Sequence, residues 1–162
     1  MTDRTVVVEL ARIEAAHLSA LVSQFSELLD ETEDASDDSA VARLVPDAYV
    51  DDAEASREFR DLTQDDLLAR RQEDAAAVLV SLHDAALLPE DSDDAALTEN
   101  VAVVLAPDAV HAWLRTLAAV RLVLATRLGI EDADDHDDED PRFGIYEWLG
   151  YRLDGLVRAI EG

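Results

Sequence analysis

Three runs of carboxylates, at residues 30–38, 90–94 and 131–140, leave the segments between them to supply every buried surface. A run of like charges repels itself and stays in water, so each run reads as a solvated surface loop. They account for much of a formal charge of −25, from 38 acidic and 13 basic residues. Yet 49% of the 162 residues are apolar, enough to offset the entropy of ordering a chain, unlike a disordered sequence of similar charge. The length suits one body with one core, read here as a single helical domain over residues 1–162.

Apolar spacing sets the elements between the runs. Residues 5–10 (TVVVEL) carry β-branched side chains in a row and read as a short strand. From 11 to 30, Ile13, Leu18, Leu21, Val22, Phe25, Leu28 and Leu29 recur at helical spacing. Ser39 is expected to cap a short turn through Leu44 that Pro46 stops. Asp51 or Asp52 caps a helix over 53–62 that offers Ala55, Phe59 and Leu62 to a core, and Thr63 with Asp66 opens another that ends near Leu88. Residues 101–105 (VAVVL) form a second short strand. Pro107 suits the first turn of a helix that Gly129 stops, and a last amphipathic helix covers 142–160. The fold class is therefore mainly α: a compact bundle of four to six helices, with a minimal two-stranded sheet if the segments near Val7 and Val103 pair.

The same sequence excludes several chemistries. It has no cysteine, hence no disulfide and no thiolate ligand or nucleophile. Phosphate loop, HExxH, GxSxG and dinucleotide fingerprints are missing. His17, His83, His111 and His136 share no ligand spacing, and an EF-hand register begun at Asp132 puts Asp137 where glycine belongs and Phe143 where a bidentate glutamate belongs. No metal, no cofactor and no catalytic residue is expected. The beginning of the sequence lacks a signal-peptide apolar run, and no later stretch is expected to approach membrane-spanning length, so a soluble cytoplasmic protein is expected. The −25 charge disfavours direct nucleic-acid binding.

Charged groups on greasy faces are the sharper signal. Glu14 falls within the stripe of Leu10, Leu18, Leu21 and Phe25; Arg71 lies among Leu67, Leu68, Ala75, Val78 and Leu82; Arg121 lies among Leu114, Leu117, Leu124 and Leu128. Burying an unpaired ion costs several kcal/mol, so these groups need partners, with Glu58 as a second carboxylate. The set Glu14, Glu58, Arg71 and Arg121 is either an interior salt-bridge network or a site for a small anionic ligand. If Arg121 neutralises a buried carboxylate, Arg121→Met is expected to cost roughly 3–5 kcal/mol. Trp148 and Tyr151 project off the main stripe of the last helix and are interface candidates.

Three segments carry a resemblance. LVPDAY at 44–49 with Asp51, Asp52, Glu58, Phe59 and Arg60, WLRTL at 113–117 followed by RLVLATRLG at 121–129, and YEWLG at 146–150 occur in the order seen in an uncharacterised actinobacterial family, DUF2017. Ala119 and Val120 depart from that pattern, which usually has Asn-Asp there, so a site resting on that pair would be lost in this chain. The resemblance implies a cytoplasmic setting linked to the Clp protease through a neighbouring adaptor, and it implies no activity. The leading expectation is a non-catalytic interaction or regulatory module that forms a homodimer. An anionic-ligand or enzymatic site around Arg71, Arg121 and Glu14 is the alternative, and a transcription-related regulator acting through protein contacts is a weaker one.

Overall fold

In the computed structural model, which describes residues 5–32, 38–45, 52–88, 93–129 and 141–161, the two β-branched segments find each other. Strand β1 (Val6–Ala11) pairs antiparallel with β2 (Asn100–Leu105), with Val6 opposite Leu105, Val8 opposite Val103 and Leu10 opposite Val101. Side chains alternate across a strand, so Val6, Leu10, Val103 and Leu105 enter the core while Val7, Glu9 and Val104 face outward. An isolated pair of strands is marginal in water; here helices cover one face.

β1 runs directly into helix α1 (Arg12–Glu31), whose Ala15, Leu18, Val22, Phe25 and Leu29 form the buried stripe. A short helix α2 (Ser39–Ala42) follows. Its cap is Asp38, not Ser39: the Asp38 carboxylate accepts from the N–H groups of Ala40 and Val41 at 2.9 and 3.2 Å. The cap therefore comes from the last residue of the first acidic run.

Helix α3 (Ala53–Leu82) is one continuous element where two were expected. Asp52 caps it through the Ala55 N–H at 3.0 Å. No glycine or proline interrupts residues 53–82, and the Thr63 hydroxyl donates back to the Phe59 carbonyl at 2.9 Å instead of capping a new start. That bond is the ordinary alternative for a threonine inside a helix. Phe59 and Leu62 were expected in the core, but they are 42% and 84% exposed.

A further short helix, α4 (Asp94–Thr98), capped by Asp93, leads into β2. Helix α5 (Pro107–Leu128) starts on proline and ends at Gly129, whose φ of 72° is the left-handed conformation that glycine adopts without penalty. Helix α6 (Pro141–Glu161) closes the chain. Of the acidic runs, 33–37, 90–92 and 131–140 lie outside the described residues, His136 among them.

The chain is mainly α with a minimal two-stranded antiparallel sheet. α5 is the central helix: α3, α6 and the short α2 pack against it, and Trp113 and Leu117 stand fully buried on it. It is also long and apolar enough to cross a membrane by length and composition alone, with a mean hydropathy of 1.2. This departs from the expectation that no stretch approaches membrane-spanning length. In this fold the helix lies against α3, α6 and the sheet.

α1 packs on α3, and α6 packs on α5, but α1 and α6 hardly approach each other by backbone. Ion pairs tie the ring elsewhere. Arg115 on α5 holds Asp74 on α3 with two bonds of 2.8 and 2.9 Å, and Arg127 holds Asp38 at 2.6 Å.

Candidate functional site

Glu14 sits in the first turn of α1, where a carboxylate complements the exposed N–H groups and the helix dipole. Its Oε1 accepts from the Ala11 N–H at 3.2 Å, which pins the strand-to-helix corner. Its Oε2 accepts from Trp148 Nε1 at 2.8 Å and from Arg152 Nη2 at 2.9 Å, both on α6. Burial pushes the Glu14 carboxyl up, but bonds from Arg152, Ala11 and Trp148 outweigh it and hold it below the usual carboxylate range.

Arg152 has more than one role. Its Nη1 donates to the Glu9 carbonyl on β1 at 3.2 Å. The guanidinium lies 5.6 Å from the Trp148 ring centre and 5.7 Å from that of Tyr151, within cation–π range. By occupying that carbonyl, Arg152 blunts an edge strand that would otherwise offer a row of free backbone groups. One carboxylate thus fastens the β1–α1 corner to α6.

Two grooves flank this clasp. On one side, α1 and α6 line a hollow of about 540 Å³ with Glu14, His17, Leu21, Gln24, Ile145 and Trp148. On the other, a smaller hollow of about 240 Å³ runs between β1 and the Tyr151–Ala159 stretch of α6. Beside the smaller one stand Tyr151, 70% exposed, and Val7, 56% exposed, with Val104, 66% exposed, directly opposite Val7 in the sheet. Trp148 is half-buried and bonded, so it serves as a groove wall and not as a free projection.

The set read as one cluster does not assemble as such. Glu14 takes Arg152 in place of Arg71 or Arg121. Glu58 is exposed on α3, because the continuous helix turns that side of it to solvent. Arg71 is half-buried on α3 and makes no hydrogen bond or ion pair among the described residues. Arg121 is half-buried and turns toward α6, where its Nε donates to the Tyr146 carbonyl at 3.1 Å and its guanidinium stacks 3.9 Å from the Tyr146 ring centre. A Cβ added at Gly150 would lie 2.9 Å from Arg121 Nη2, so that glycine makes room for the guanidinium. Neither Arg71 nor Arg121 lines either groove.

With no carboxylate paired to Arg121 among the described residues, the expected cost of Arg121→Met falls. Among the described residues a carbonyl bond and a ring contact are lost, so about 1–2 kcal/mol is expected from chemical denaturation. A loss above about 3 kcal/mol would restore the stranded-carboxylate reading.

Arg152 was the partner that spacing could not reveal, since it lies 138 residues from Glu14. One signal did exist: Trp148 and Arg152 stand four apart on a helix and so share a face. Among the described residues no group of three or more His, Asp or Glu side chains is arranged to hold a metal ion.

The family described as Domain of unknown function (DUF2017) matches residues 1–160. The chain belongs to that family. No curated protein and no solved structure matches it. Two of the three segments that carried the resemblance build the α5–α6 side of this DUF2017 fold: Arg121 comes from one, and Tyr146, Trp148 and Gly150 from the other. Of the third, residues 46–51 lie outside the described residues.

Proposed function

We propose that this DUF2017 chain is a non-catalytic interaction module that pairs with a second copy through the open face of its sheet and the adjoining side of α6. The observation that carries this reading is that Val7 and Tyr151, which line one groove, and Val104, opposite Val7 in the sheet, are each more than half exposed. Large apolar side chains gathered on a surface mark association sites. A patch shared by two identical copies gives a closed, two-fold dimer. The setting attached to this reading is the cytoplasm of an actinobacterium, in a context linked to Clp proteolysis, as the family resemblance implies. No membrane role is part of it, and the −25 charge speaks against direct nucleic-acid binding.

Light scattering on a sized column tests it. The wild type should elute with the mass of two chains, and Tyr151→Glu should shift it to one chain without loss of helical circular dichroism. A wild type that stays at one chain across the accessible concentration range removes the self-association reading.

A further inference from the structure

The larger groove, on the far side of the Glu14 clasp, is not used by that reading. We infer that the α1–α6 groove is a docking site for a basic amphipathic helix of a partner protein. Its shape is the first argument. The lining residues Glu14, His17, Leu21 and Gln24 follow one face of α1, while Trp148, Ile145, Gly144 and Pro141 follow α6 in the opposite sense. Glu14 to Gln24 spans about 15 Å along a helix, enough for the roughly 10 Å over which a docked helix presents anchors at i, i+3 or i+4, and i+7.

The second argument is the ring of helices. α1–α3, α3–α5 and α5–α6 pack closely, whereas α1 and α6 are joined mainly by Glu14 reaching Trp148 and Arg152 at one end. The slot beyond the clasp is lined by Leu21, Ile145, Ala20 and Gly144. Gly144 has nothing within 4 Å of the position of an added Cβ, so the wall there is open.

Charge selects the occupant. α1 continues past Gln24 into the exposed Glu27 and Glu31, which by helical spacing follow Ala20 and Gln24 on the groove side of the helix. An acidic helix is repelled there, a neutral one gains nothing from the field, and one with lysine or arginine flanking its apolar stripe is attracted.

The test uses the full chain and a synthetic helical peptide of about 18 residues, with leucine at helical spacing and lysine on both flanks. Trp148 emission reports binding, because its indole lines the groove while Trp113 is only 1% exposed. The basic peptide should bind and blue-shift that emission. A scrambled peptide of equal charge, and one with glutamate for lysine, should bind at least about tenfold more weakly. Ala20→Arg, at an exposed groove position, should weaken the basic peptide by about tenfold or more while leaving the fold intact. Tyr151→Glu should leave peptide affinity unchanged, which separates this site from the self-association surface. Equal binding of the scrambled peptide, or an unaffected Ala20→Arg, overturns the inference. So does an Ala20→Arg protein whose mass halves, since the occupant would then be a second copy.

Discussion

Glu14→Ala should lower stability by about 2–3 kcal/mol, the cost of removing charged hydrogen bonds and leaving Arg152 without its carboxylate. For a chain of this length that corresponds to about 5–10 °C in melting temperature. The side chains are only partly sheltered, at 31% exposure for Glu14 and 24% for Arg152, which keeps the figure below that of a sealed pair. The loss should have a local signature as well. Trp148 loses its acceptor, so its emission should move to the red before the global transition, as α6 loosens at the clasp. Glu14→Gln should fall between the two proteins, because an amide keeps an acceptor for the indole and gives up the ion pair. A Glu14→Ala protein within about 0.5 kcal/mol of wild type would show that α6 is held by the α5 packing alone.

The pH dependence of that difference follows from the direction of the Glu14 shift. Its carboxyl titrates lower in the folded chain than in the unfolded one, so the folded state binds fewer protons there. The stabilisation is fully present above the unfolded value near about 4.3 and is lost as pH falls through the lower folded value. The gap between wild type and Glu14→Ala should therefore stay constant from neutral pH down to about 5.5 and close only below about 4. Asp38 follows the same sign. The bond from Arg127 lowers its carboxyl, burial opposes this, and the N–H groups of Val41 and Ala40 lower it further.

Both strands and the long helices α1, α5 and α6 were legible because each rests on local chemistry; α4, which starts inside a run read as an acidic loop, was not. The β-branched runs near Val7 and Val103 pair as strands, and Pro107 and Gly129 bracket α5 at the expected residues. Glu14 was legible as a charge needing a partner, since a carboxylate on an apolar stripe signals one from a single helix. The partner's identity was not, because tertiary packing decides which of the arginines arrives. Arg121 fell on a greasy face for a different reason. It reaches the Tyr146 carbonyl and ring through the space left by Gly150, a contact between two helices that neither helix shows alone. The break expected at Thr63 failed because a capping residue can as well bond the carbonyl one turn back, and nothing nearby stops the helix.

Added salt should raise the melting temperature, by about 5–10 °C between roughly 0.01 and 0.3 M NaCl. Packing 25 excess negative charges into a body with a radius of gyration near about 15 Å sets most pairs within about 30 Å of one another. At about 0.01 M the screening length is also near 30 Å, so nearly every pair repels; near 0.15 M it is about 8 Å, and most pairs no longer do. Unfolding roughly triples the radius of gyration and relieves the repulsion, which is why low salt favours the unfolded chain. Screening also weakens the attractive pairs. Arg115–Asp74, Arg127–Asp38 and Arg158–Asp154 are each exposed on at least one side, and such pairs contribute at most about 1 kcal/mol apiece. The half-buried Glu14–Arg152 pair loses less, since salt reaches it poorly. Repulsion is therefore the larger quantity, and its relief sets the sign. KCl should act like NaCl at equal ionic strength, whereas a rise seen with sulfate alone would report exclusion of the salt from the surface. A melting temperature that stays level or falls in both chlorides would mean that the acidic groups are already neutralised in the folded chain.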